Sequence, residues 1–214
     1  GVKSTYRFGH NIMSLGVDLT HFSNCAFNIP NYGINIPYLS MSYSRIIKQD
    51  TTLRIRPRVN KFKKFYFGTY GVISLKEINP HGSQKYPVYA LGGFCRYFFQ
   101  QRAGLETGID LISKQSVFDF EPQVNKTQWS ILQLGLYTGY LVPLNHFHFF
   151  FGMGVYIRDR YRPNGPLYHR IGFRYQLKNG LYGNVTLKSH WAKADYMELG
   201  IGYVFNFRKS MIND

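Results

Sequence analysis

The stretch HFHFFFGMGVYIR, residues 146–158, decides the fold. Its odd positions carry Phe147, Phe149, Phe151, Met153, Val155 and Ile157. Its even positions carry His148, Phe150, Gly152, Gly154, Tyr156 and Arg158. The run is too short for a transmembrane helix, which needs about 20 apolar residues, and its two glycines weaken a helical interior. A period of two with one uniformly apolar side is the pattern of a β-strand. The same period returns along the chain. Met13, Leu15, Val17 and Leu19 alternate with Ser14, Gly16 and Asp18; Leu39, Met41 and Tyr43 with serines; Leu105, Ile109 and Leu111 with Glu106, Gly108 and Asp110. Ile171, Phe173 and Tyr175 follow the same rule, as do Leu199, Ile201, Tyr203 and Phe205.

In a soluble sandwich the apolar face would be buried and the polar face wet; in a membrane barrel the apolar face meets lipid and the polar face lines the lumen. Three features choose the barrel. The strands run to about 10–14 residues, long for a soluble protein and suited to a tilted span. Tyr and Phe recur near strand ends, where an interfacial girdle belongs. The polar face holds charges of both signs, Arg96, Glu106, Asp110, Arg170, Arg174 and Glu198, which can pair across a lumen. On a lipid face each Arg or Lys at mid-depth would cost about 2–4 kcal/mol.

The fold expected is all-β: an up-and-down antiparallel transmembrane β-barrel over residues 1–214, with about ten strands near 11–23, 37–47, 63–78, 86–99, 102–114, 128–142, 146–160, 166–178, 181–192 and 196–208. An even number closes a barrel without free edges. If Gly1 is a true mature terminus, the first strand pairs with the last. If the chain is a C-terminal fragment, further strands precede it. The turns near 100–102, 143–145 and 178–180 are tight, and the connections containing NPHGSQ, KQSVFDFEPQVNKT and RYRPNGP are longer, so the tight ends face the periplasm and the long ends the exterior. By that parity the loop after Ser23 lies outside. Residues 48–62, KQDTTLRIRPRVNKF, fall on the tight-turn side yet are long and basic; Lys61, Lys63 and Lys64 there read as a solvated cluster flanking the membrane.

Composition sets the remaining bounds. The 214 residues include 18 Tyr, 18 Phe and 21 Gly, and the formal charge is +15. A basic surface suits an anionic partner such as the phosphates of lipopolysaccharide. The bases are scattered and no nucleic-acid-binding motif appears, so nucleic acid is not expected. Cys25 and Cys95 do not make a disulfide framework. His146 and His148 lack the partner spacing of a metal site.

The apolar stripe of residues 13–19 continues as His21 and Ser23, two apart and therefore on one face. Parity traced back through Pro37 sets Asn35 on the same face as Leu39 and Met41. An imidazole beside a hydroxyl draws its proton and makes the oxygen a nucleophile for an ester carbonyl, and a third group holds the other ring nitrogen. Facing lipid, such a centre meets acyl chains. His190 and Glu198 fall on the lumen side with Tyr182 and Lys188, and read as an internal polar network.

The run HFSNCAFNIPNYGIN, residues 21–35, resembles the H-x-S-N…P-N-x-G-x-(E/N) signature of the outer-membrane lipid A 3-O-deacylases, the PagL-like or acyloxyacyl hydrolase family. The ending LKSHWAKADYMELGIGYVF looks like that of larger Bacteroidetes-type relatives, in which the signature is internal. The resemblance implies a barrel in the outer membrane of a Gram-negative bacterium that cleaves an ester-linked acyl chain from lipid A without a cofactor. Carried over by position, Ser23 is the nucleophile, His21 the general base and Asn31 a contributor to the oxyanion site. Asn35 stands where the best-known members have Glu; its carbonyl can orient the imidazole but brings no charge. Arg158, Arg160 and Arg162, on a long outer loop, are the expected contacts to lipid A phosphates. Two other functions compete: a non-catalytic barrel subunit docking in a larger outer-membrane complex, and a narrow pore, which lumen-facing Phe94, Tyr137, Phe150 and Tyr156 argue against.

Overall fold

The computed structural model describes residues 1–24, 28, 33–47, 65–78, 80, 82–120, 123, 125–161, 164–191 and 193–205. Eleven strands follow one another: β1 (Val2–Phe8), β2 (Asn11–Phe22), β3 (Ile34–Arg45), β4 (Phe65–Glu77), β5 (Lys85–Gln100), β6 (Ala103–Lys114), β7 (Leu132–Leu144), β8 (Phe147–Arg158), β9 (Leu167–Gln176), β10 (Leu181–His190) and β11 (Lys193–Phe205). All ten strands anticipated from the alternation are present, and β1 is an additional one. Two helical turns, α1 (Val117–Phe120) and α2 (Gln128–Ile131), occupy the β6–β7 connection. The second takes residues expected to begin a strand. There the Ser130 hydroxyl bonds the Thr127 carbonyl at 2.7 Å and so closes a local turn.

The strands form two compact units. β4–β11 make a closed antiparallel barrel of eight. Closure is made by β11 on β4, in the register Leu199↔Ile73 through Phe205↔Phe67. Of the two alternatives for the first strand, pairing with the last is not the one observed: β11 lies between β10 and β4, and both its edges are taken. The other unit is a three-stranded antiparallel sheet in the order β1-β2-β3.

In the barrel the alternation sorts side chains as a membrane wall requires. Outside stand Leu91, Ile109, Met153, Ile171, Val185 and Ile201, all exposed. Inside stand Tyr66, Tyr70, Tyr137, Phe150, Tyr168, Tyr182 and Tyr196, all buried. With eight strands the interior is just wide enough for side chains to fill it. The large rings lie across glycines of neighbouring strands. A Cβ on Gly92 would fall 2.3 Å from Tyr70, and one on Gly154 would fall 2.2 Å from Tyr168. This is why glycines share the lumen face with aromatics.

Charges fill the rest of the lumen, and most of them pair with an opposite. Glu106 accepts from Arg96 at 2.5 Å, from Arg174 at 2.5 Å and from the Tyr137 hydroxyl at 2.9 Å. Arg170 reaches Asp110 at 3.0 Å and Glu198 at 2.7 Å. Asp195 takes Lys76 and, at 2.6 Å, Lys114, with His190 at 3.4 Å. Lys188 is fully buried with its ammonium 3.9 Å from the centre of the Tyr168 ring. Burying these ions is tolerable only because the pairs and hydroxyls replace water. The inverted distribution, apolar outside and ionic inside, makes this a transmembrane β-barrel.

Candidate functional site

β2 and β3 carry two of the signature residues, His21 and Asn35. Their ladder runs from Asn11↔Arg45 to Phe22↔Ile34 and passes through Pro37. In this register Met13 faces Tyr43, Leu15 faces Met41, Val17 faces Leu39 and Leu19 faces Pro37. These pairs form one exposed apolar stripe, with Leu39 and Met41 each 77% accessible. The next pair in the same stripe is His21↔Asn35. The two strands thus bring together residues fourteen apart in sequence, because a cross-strand pair sets its Cβ atoms about 5 Å apart.

The imidazole uses that proximity. His21 Nδ1 lies 2.8 Å from Asn35 Oδ1. An amide oxygen only accepts, so Nδ1 carries the hydrogen and donates it. That tautomer leaves the Nε2 lone pair free to take a proton. Gly33 completes the seat: a Cβ there would stand 2.1 Å from His21 Cε1 and 2.8 Å from Nε2. The ring therefore rests against bare backbone, and any side chain at 33 would evict it. Gly33 is the glycine of the P-N-x-G-x-N run. The sequence shows the glycine but no role for it, since the contact exists only once β3 folds back on β2.

The other anticipated residues divide. Ser23 lies one residue past the end of β2, half-buried. Asn31 lies outside the described residues, as do Arg162, Cys25 and Lys61, Lys63 and Lys64, together with the whole of 48–62. Arg158 ends β8 and packs on Trp129, its guanidinium 3.9 Å from the ring centre and donating to the Trp129 carbonyl at 2.9 Å. Arg160 is exposed in the following bend. Cys95 is a free thiol. His190 and Glu198 belong to the lumen network, bound to Asp195 and Arg170. On the opposite face of β2, Asp18 accepts from the Ser40 hydroxyl at 3.1 Å, away from the imidazole. Among the described residues no group of His, Cys, Asp and Glu is arranged to hold a metal ion.

The molecule is thus a membrane-barrel protein with a histidine–amide pair at the end of an apolar stripe. The family model for the acyloxyacyl hydrolase C-terminal domain matches residues 62–207, and the chain belongs to that family. The match takes in β4–β11 and leaves out His21 and Asn35. No curated protein matches the chain. A solved structure described as "De novo design of transmembrane beta-barrels" is similar at 13% identity, covering 67% of this chain and 98% of its own, with a TM-score of 0.42.

Proposed function

We propose that the protein is an esterase of the Gram-negative outer membrane that removes an ester-linked acyl chain from lipid A. The observation that carries the reading is the 2.8 Å contact of His21 Nδ1 with Asn35 Oδ1 at the end of the apolar stripe. In the reading, Ser23 Oγ attacks the ester carbonyl while His21 Nε2 takes its proton. A new Ser–acyl bond forms and the carbonyl becomes an oxyanion, which Asn31 helps to hold. Collapse breaks the bond to the sugar oxygen, and His21 returns the proton to that leaving group. Water, deprotonated by the same imidazole, then hydrolyses the acyl-enzyme and frees the fatty acid.

Asn35 supports the imidazole by orientation alone, as the third member does in Cys–His–Asn enzymes. The apolar stripe suits an acyl chain, since it presents the centre to lipid rather than to water. Arg160, with Arg158 and Arg162, is assigned to the phosphates of the substrate by charge.

The test is mass spectrometry of lipid A from cells with and without the protein. Ser23→Ala and His21→Ala should each abolish loss of the acyl chain while the heat-modifiable gel shift of the folded barrel persists. Deacylation that survives either substitution sinks the reading. A barrel that folds, leaves lipid A unchanged and co-purifies with another outer-membrane protein favours the docking-subunit function instead.

A further inference from the structure

β1 and β3 are the two edges of the three-stranded sheet, and among the described residues no strand pairs with either outer edge. The sheet nevertheless has the two faces of a membrane wall. One presents Val2, Leu15, Val17, Leu39 and Met41, all exposed. The other presents Thr5 bonded to Ser14 at 3.1 Å and Ser40 bonded to Asp18 at 3.1 Å. Toward the β2–β3 loop end this second face also carries exposed Phe22, Ile34 and Ile36, but over the rest of the sheet the division of apolar from hydroxyl and charged side chains is the one that builds the closed barrel of β4–β11. In hydrocarbon an open strand edge has no water to satisfy its N–H and C=O groups, so spanning sheets close on themselves. β4–β11 cannot supply the missing partners, because their own ring is closed.

We propose that β1–β3 are one sector of a second transmembrane barrel, completed by amphipathic antiparallel strands from polypeptide outside residues 1–214. Strand direction fixes that their number is odd. β1 and β3 both run antiparallel to β2, so they are parallel to each other. An antiparallel ring that joins them needs an odd number of strands between, and the smallest single-chain bacterial barrels have about eight, which asks for about five. Copies of the sheet inserted in one orientation, however many, would set β3 of one parallel to β1 of the next, because β1 and β3 run in the same direction. Copies of this chain therefore do not complete the ring. The family match agrees in kind: it covers 62–207 as a C-terminal domain and leaves β1–β3 outside it.

The test is amide hydrogen exchange read by mass spectrometry in two preparations. One is the protein isolated in its own outer membrane; the other is the 214-residue chain refolded alone into phosphatidylcholine vesicles. Protection of β4–β11 reports that the chain has folded in each. In the native membrane, peptides covering Val2–Phe8 and Ile34–Arg45 should exchange as slowly as those of β4–β11. In the refolded chain they should exchange about 100-fold faster than β4–β11, because edge amides open locally. Fast exchange of both edges in the native membrane overturns the proposal. So does slow exchange in the refolded chain, whether at all protein densities, meaning that the sheet needs nothing further, or only at high density, meaning that a second copy is the partner. Should the refolded chain lack protection in β4–β11, photo-crosslinking from Thr5 and Ser42 in the native membrane decides alone. Cross-linked peptides with apolar–polar alternation from outside residues 1–214 support the proposal; cross-links confined to lipid or to residues 1–214 of a second copy defeat it.

Discussion

Arg170 on β9 lies 3.0 Å from Asp110 on β6, although the two strands are not neighbours in the barrel. The pair spans the lumen, and Glu198 on β11 holds the same guanidinium from another side at 2.7 Å. The interior is therefore tied across its width by ions as well as around its circumference by backbone ladders. Asp110→Asn keeps the shape but removes one charge from a dry site, and should lower the unfolding free energy in detergent micelles by about 3 kcal/mol. Urea titration followed by tryptophan fluorescence measures it. An unchanged midpoint would mean that the lumen is wet.

The outer wall gives a prediction of opposite logic. Leu91, 66% exposed near the middle of β5, would be a permissive surface position in water. In a bilayer Leu91→Arg should cost about 2–4 kcal/mol. Folding yield into vesicles against that in a solubilising detergent separates the two environments.

Gly33 is the sharpest test of the site. Gly33→Ala sets a methyl 2.1 Å from the His21 ring and must displace it. The acyl-release rate should fall by about 100-fold, the order expected when a catalytic group is misplaced by an ångström. The barrel, which lies elsewhere in the chain, should keep its gel shift. Full activity would show that the imidazole is not used where it lies.

Asn35→Glu should raise the rate of acyl release about tenfold, since a charge-assisted bond to Nδ1–H is roughly twice as strong as a neutral one and stabilises the imidazolium. Asn35→Ala should lower it, with the substrate KM little changed, because orientation of the base is lost and binding is not. Single-turnover release of a radiolabelled acyl chain reads both. A rate indifferent to all three residues at 35 would remove the amide from the proposed mechanism.

The sequence by itself determined the walls. A period of two with aromatics and aliphatics on one parity, and glycines, charges and tyrosines on the other, is a local property of each strand, so Phe147–Ile157 or Leu199–Phe205 announce both the strand and its two faces. The same parity aligned His21 with the apolar stripe, and the spacing to Asn35 carried the family resemblance. Only the tertiary structure decided which strands pair. Alternation is identical in a strand that closes a ring and in one that does not, so nothing local told β11 to take β4 as its partner and leave β1–β3 as a separate sheet. The role of Gly33 was hidden for the same reason: its missing side chain matters only because the β2–β3 register lays the His21 ring upon it. Hydrogen-bond partners and close approaches between distant residues are set by register and closure, and those are properties of the assembled sheet.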